Sequence, residues 1–461
     1  MHQPNPSGVS VAELPAGVRT ITTAATSVAA FLGYTEVTRP GGTAEAPSDE
    51  PPDGSPRPFT EAERTVPQRI DSWREFTARY QVDALARRLA AATDPVTVRT
   101  LERCFPLAEA VHGFFANGGR TCYVVGFADP SRAVSARELR GDATARTGLA
   151  GLESVPEVTM VVVPGLWDMT GDASAPAGTP DLDGGVRRMA EVVRHCTARR
   201  DRLAILDPPP DLDADRVKAF VDGLDAPDSD AAAFTALYYP WITVPGVDGT
   251  ARTVPPGGHV AGVWARTDTE HGVHVAPAGQ VLHGVREPGA PLTEGEHGRL
   301  DEKGVNCLRH VPGGGLLVWG ARTRSTARTW RYLTVRRLVC HLSASIRRAT
   351  AWAAAAPHDE HLRAALHRTI TSFLTDQWRR GALVGRGPEE AFSMVCHGSD
   401  DPPGRTGTGG MTCDIGVAAV RPGEFARFTV SWCTDAAGPG GRDPGAGARA
   451  PGDGPPVRRG T

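Results

Sequence analysis

From residue 107 to residue 244 short apolar runs alternate with longer amphipathic stretches, and this alternation restricts the fold more than any other feature of the chain. Residues 107–115 carry a helical pattern that stops at Asn117-Gly118-Gly119, residues that accept positive φ, and Cys122-Tyr123-Val124-Val125-Gly126 follows as an apolar strand. Residues 158–163 (VTMVVV), 203–206 (LAIL) and 237–244 (LYYPWITV) read as further strands, with helical stretches at 186–199 and 213–224 between them. Strands joined through helices of this length pair in parallel, because a parallel return needs a crossover, and the crossovers cover both faces of the sheet. The expected body is an α/β domain around a mostly parallel, twisted sheet.

A second, α+β unit is expected from residue 291. Thr293 stands three residues ahead of Glu296, as a capping box requires. Residues 315–319 (GLLVW) are apolar and bounded by glycines, which predicts a buried strand. Beyond it Trp330, Leu333, Leu338, Leu342 and Ile346 recur at helical spacing, while Arg331, Arg336, Arg337, Arg347 and Arg348 fall largely on other faces. A second helix at 361–380 carries Leu362, Leu366, Ile370, Phe373, Leu374 and Trp378 on one stripe and stops at Gly381. Strands are expected at 392–396, 411–420 and 425–432; in the last, Phe428, Val430 and Trp432 alternate with Arg427, Thr429 and Ser431. The division is thus an N-terminal arm at 1–17, the α/β body at 18–290, the α+β unit at 291–433 and a tail at 434–461. Residues 44–57 and 434–461, rich in proline, glycine and charge, have no apolar periodicity and are expected to be disordered.

Charge and composition exclude several function classes. Lys and Arg total 50 against 53 Asp and Glu, so a net charge of −3 provides no signature of nucleic-acid or anionic-membrane binding. Only Lys218 and Lys303 are lysines, and the arginine excess is that of a GC-rich coding sequence rather than of phosphate recognition. The eight cysteines contain no C-x-x-C pair, which argues against a zinc ribbon or redox motif and predicts free, mostly buried thiols. No run approaches the ~18 apolar residues of a membrane span, and no basic start precedes an apolar core, so the expected location is a reducing cytoplasm.

Catalytic candidates are weak on inspection. Asp168, Asp207 and Asp211 would lie near the carboxyl ends of strands, where α/β enzymes gather ligands. However, Pro208-Pro209-Pro210 removes the amide donors beyond Asp207, which reads as a turn-forming carboxylate. No G-x-S-x-G elbow, Walker loop or S-x-x-K motif is present, and Gly313-Gly314-Gly315 does not fit G-x-G-x-x-G. His259, His271, His274 and His283 fall within 255–289, but His271-Gly272-Val273-His274 reads as strand or turn rather than as one helix face. No catalytic, cofactor or metal residue is assigned.

Several segments stand in a fixed order along the chain: T-S-V-A-A-F-L-G at 26–33, S-W-R-E-F at 72–76, F-F-A-N-G-G-R-T-C-Y-V-V at 114–125, P-P-G-G-H-V-A-G-V-W-A-R-T-D at 255–268, G-V-N at 304–306, W-G-A-R-T at 319–323, W-R-Y-L-T-V-R-R at 330–337 and R-P-G-E-F-A-R-F-T-V at 421–430. In that order, from Gly8 to about Trp432, the chain resembles contractile tail sheath proteins. The resemblance implies a subtilisin-like topology for the body without its hydrolysis. It also implies a mechanical role: a helical homo-oligomer around an inner tube protein, joined to baseplate and cap components, without nucleic acid or membrane insertion. Under it, strands at Val9, Val11 and Leu14 and at Phe425, Phe428, Val430 and Trp432 would link neighbouring copies, and Arg363, Arg368, Arg379 and Arg380 would face the tube. A cytoplasmic α/β enzyme with an unidentified pocket and a non-contractile binding module are the alternatives. Because residues 434–461 have no apolar face to bury, deleting them should leave the thermal unfolding transition within a few degrees of the full chain in scanning calorimetry.

Overall fold

A computed structural model describes residues 19–35, 56–167, 180–224, 229–357, 359–398 and 410–432. Its strands are β1 (Ala29–Tyr34), β2 (Gln68–Ile70), β3 (Cys122–Phe127), β4 (Met160–Val162), β5 (Leu203–Leu206), β6 (Thr235–Tyr239), β7 (Ile242–Val244), β8 (Arg252–Val254), β9 (Gln280–Val281), β10 (Glu287–Pro288), β11 (Val305–Val311), β12 (Gly315–Val318), β13 (Phe392–His397), β14 (Met411–Val417) and β15 (Ala426–Trp432). Nine of them form one sheet in the order β2-β3-β1-β4-β5-β6-β11-β12-β9. The run from β3 to β11 is parallel throughout, and β2, β12 and β9 add antiparallel edges.

Every residue of β1, β4, β5 and β6 is buried, so both faces of the central sheet are covered. Helices Phe105–Ala116 and Gly257–His271 pack against each other and on β1 and β4, while Leu182–Arg199 lies on β5. The contact between the first two helices is very close. A Cβ on Gly258 would fall 2.4 Å from Ala110 Cα, and one on Gly113 would fall 2.3 Å from His259 Nδ1, so both positions require glycine. Helix Gly257–His271 therefore forms in a stretch whose two prolines and three glycines disfavour it locally, because tertiary packing outweighs propensity.

Three expectations are corrected by this topology. Residues 237–244 are not one strand: β6 stays in the main sheet and β7 joins a separate sheet of order β10-β7-β8, since Pro240 between them has no N–H to continue a ladder. Nor does the body end at residue 290. β11 pairs in parallel with β6, with Val305 opposite Leu237, and carries β12 with it, so the main sheet extends to Val318. Within it the fully buried Asn306 side chain accepts from the Arg322 amide (2.7 Å) and donates to the carbonyls of Arg322 (2.8 Å) and Leu237 (3.2 Å), tying the W-G-A-R turn to the sheet. Finally, β12 lies one strand from the sheet edge and is only half buried; Trp319 beyond it is 41 % exposed under the guanidinium of Arg309.

The second core joins helices Leu333–Ala349 and Glu360–Arg379 to a three-stranded antiparallel sheet, order β13-β14-β15. Cys396 and Cys413, expected as free thiols, stand directly opposite each other in this sheet and are joined by a disulfide. Spacing along the chain does not reveal such a pair, because strand register brings it together. Cys104, Cys122, Cys196, Cys307 and Cys340 are free and buried, as expected, and Cys433 lies outside the described residues. So does most of 44–57, although Arg57 belongs to the ordered body through paired hydrogen bonds to Glu63 (2.9 and 2.6 Å).

Helix Phe105–Ala116 also buries a carboxyl group, Glu109, which is 1 % exposed. Its Oε1 accepts from the Val247 amide at 2.8 Å, with Arg252 at 3.6 Å. Burial raises its pKa to about 7, against the opposing pull of that amide and of Arg252. The folded chain thus holds this proton between about pH 4.5 and pH 7, where the unfolded chain has released it, and stability falls as pH rises through that window. Glu109→Gln keeps an acceptor for Val247, and it should flatten the fall by about 2–3 kcal/mol in urea unfolding midpoints compared across the window.

Candidate functional site

Among the described residues, the carboxylates at the carboxyl end of the parallel sheet sit in separate packed or turn positions. Asp207 is buried, and burial lifts its carboxyl well above the usual range, with the Gly257 amide as the opposing contact. Its carbonyl accepts the Trp167 indole N–H (2.9 Å), and that of Pro208 accepts the Trp241 indole N–H (2.9 Å), so the proline turn is sealed under two tryptophans. Asp211 holds φ of 58° in that turn, and Asp168 lies outside the described residues. His259 is packed inside the helix pair with a pKa depressed by burial to about 3, His271 ends its helix, and His274 and His283 follow in loops. Among the described residues no three His, Cys, Asp or Glu side chains gather as a metal centre, and no helix is long and apolar enough to cross a membrane.

The residues expected at subunit contacts lie in the second unit. Phe428, Val430 and Trp432 share the inner face of β15 as the alternation predicts, while Phe425 precedes the strand. β15 pairs with β14 along its whole length, from Met411 opposite Trp432 to Val417 opposite Ala426. Val430 and Trp432 are buried, and the Trp432 indole donates to Thr350 Oγ1 at 3.1 Å. β15 is therefore part of the subunit's own second core. Val9, Val11 and Leu14 lie outside the described residues. In the described residues, one edge of β13 and one of β15 have no ladder partner.

The four arginines of helix Glu360–Arg379 separate into two groups. Arg363, which pairs with Glu360, shares with Arg368 a groove of about 410 Å³ between the helix and β13. Arg379, 3.7 Å from Asp376, and Arg380, the C-cap, sit at the other end of the helix, roughly 16 Å away at ~1.5 Å per residue. They do not form one patch.

A set of residues missed in the sequence seats this unit on the body. Arg336 and Arg337 are buried, not solvated. The Arg337 guanidinium meets Asp268 at 2.5 Å and lies 4.5 Å over the Trp264 ring, and that of Arg336 lies 3.6 Å over Trp330 and 4.3 Å over Phe234. Nearby, buried Asp201 contacts Arg202 (2.8 Å) and Arg347 (3.4 Å), and the Ala24 amide donates to Ser345 Oγ (2.9 Å). The signal was present in the spacing: Arg336 and Arg337 stand three and four residues after Leu333, on the apolar stripe itself. Asp268→Ala should destabilise the chain by roughly 3–5 kcal/mol in denaturant unfolding, because Arg337 stays buried without a partner, and Asp268→Ala with Arg337→Met should recover most of the loss.

Comparison with known proteins agrees with this architecture. Residues 187–324 match the family described as the phage tail sheath protein central domain. Among solved structures, a chain of the anti-feeding prophage baseplate is 24% identical, with a TM-score of 0.60 over 92% of this chain and 98% of that one. The sheath complex of PVC, an extracellular contractile injection system, in its contracted state is 23% identical, with a TM-score of 0.60 over 92% and 97%. The sheath tail protein of Listeria innocua is 11% identical, with a TM-score of 0.53 over 90% and 97%. No curated protein matches the chain. At these identities the solved structures establish the fold, and the family match covers residues 187–324 within it.

Proposed function

We propose that this chain is the structural subunit of a contractile sheath, which polymerises helically around an inner tube and contracts to drive the tube outward. The observation that carries this reading is the extent of the shared fold: the likeness spans 97% of the PVC chain, whose solved assembly is a sheath in the contracted state. Its partners are then further copies of itself, the inner tube, and baseplate and cap components, and its work is mechanical rather than enzymatic. Assembly in the cytoplasm and a subtilisin-like topology for the body are parts of the same proposal.

Neighbouring copies are linked by added strands. The outer edges of β13 and β15, which have no ladder partner among the described residues, support this, since an edge strand can take on an incoming strand. The arm containing Val9, Val11 and Leu14 is the proposed donor, and Phe425, Phe428, Val430 and Trp432 hold the receiving sheet. A helical polymer needs this kind of contact, in which two different surfaces meet and the symmetry does not close. Arg363 and Arg368 are the proposed tube contacts at one end of their helix, and Arg379 and Arg380 at the other.

Negative-stain micrographs of the purified chain mixed with tube protein should show sheathed tubes; a small, discrete oligomer with an open pocket would favour the enzyme reading instead. In the companion sedimentation assay Val11→Pro should leave a folded subunit with its normal melting transition that no longer pellets with tubes. Arg363→Glu with Arg368→Glu should lower pelleting several-fold. Unchanged pelleting of either variant would remove the corresponding contact from the proposal.

A further inference from the structure

We propose that Cys396 and Cys413 form a thiol–disulfide exchange site, opened and closed by low-molecular-weight thiols and disulfides that reach Cys396 through the groove between β13 and helix Glu360–Arg379. The two cysteines face each other across the β13–β14 ladder, so closure needs no change of register. They differ in access. Cys413 is fully buried, whereas Cys396 is half buried and lines the groove of about 410 Å³. An incoming thiolate or disulfide therefore meets the Cys396 sulfur first.

The same groove supplies the electrostatics of a reactive thiol. Arg363, His367 and Arg368 line it with Cys396; Glu360 opposes them but is already paired with Arg363. Guanidinium groups beside a thiol favour the thiolate, the form that attacks disulfides. The five free cysteines lie in the opposite environment. All are buried, and burial pushes the thiols of Cys104 and Cys307 up to about 12 and that of Cys340 to about 11, and raises those of Cys122 and Cys196 as well. Redox chemistry among the described cysteines is thus confined to one pair.

Closure proceeds in two exchanges. The Cys396 thiolate attacks one sulfur of a disulfide RSSR, forming a mixed disulfide and expelling RS⁻. Cys413 then loses its proton and attacks the Cys396 sulfur, which forms the protein disulfide and expels the second RS⁻. Two electrons pass from the cysteine pair to RSSR, and after protonation two RSH leave. Reduction by a dithiol runs the same steps in reverse. The bond spans 17 residues of sequence and joins edge strand β13 to β14, so it constrains the part of the small sheet most prone to fray.

The test uses the full chain carrying Cys433→Ser, since Cys433 lies outside the described residues. Incubation of the dithiothreitol-reduced protein with oxidised glutathione should lower the thiol titre under denaturing conditions by two. It should also raise the melting transition of the C-terminal unit by roughly 5 °C or more. In the additional variant Cys413→Ser, glutathione should be trapped on Cys396, identified by peptide mass spectrometry. Arg363→Glu with Arg368→Glu should slow that trapping several-fold. A titre that does not change with oxidised glutathione would overturn the proposal. Trapping on any other cysteine, or an unchanged rate in the arginine variant, would overturn the assigned entry through the groove. None of these readings depends on sheath assembly, so the exchange site and the proposed mechanical role fail or stand separately.

Discussion

The pairing of Arg337 with Asp268 is the interaction on which the arrangement of the two cores depends. A guanidinium buried to 4 % exposure must have a carboxylate and a surface to rest on, and helix Gly257–His271 supplies both, as Asp268 and the face of Trp264. That helix is in turn held against Phe105–Ala116 by glycines that admit no side chain. The position of helix Leu333–Ala349 is thereby referred back to the central sheet through two successive contacts. Such a pair adds little net stability compared with a well-packed apolar substitute, whereas loss of one partner leaves the other buried and uncompensated.

The two cores differ in construction. The nine-stranded sheet is buried on both faces and tied at its far side by the Asn306 amide, which satisfies three backbone groups of the adjoining turn and strand. Among the described residues the small sheet has two edges without a ladder partner, a covalent tie between β13 and β14, and an inner face closed by Val430 and Trp432. Edges of this kind present backbone N–H and C=O groups to which a further strand can add.

Much of this was legible in local pattern. Helix Glu360–Arg379 falls within one residue of the expected 361–380, and β5, β14 and β15 fall where apolar runs and alternation put them. Helix Gly257–His271 was not legible. Its P-P-G-G start has poor intrinsic propensity, and only the close fit against Ala110 and Gly113 makes glycine an advantage there. The segment 237–244 was read as one strand for the converse reason: its apolar residues continue past Pro240, but its partners change from β11 and β5 to β8 and β10.

Periodicity is a property of neighbouring residues, so the sequence by itself determined the layered parallel body, the order of helices and strands, and the amphipathic stripe of the C-terminal helices. Proximity across space is not written in spacing. Tertiary structure alone decided that two arginines enter the core, because burial depends on whether Asp268 and the aromatic faces are within reach. It alone decided that Cys396 and Cys413 meet, because register depends on the whole hairpin. And it alone carried β11 and β12 into the body, because the ladder with β6 joins residues 68 positions apart, Leu237 and Val305, that no local window contains.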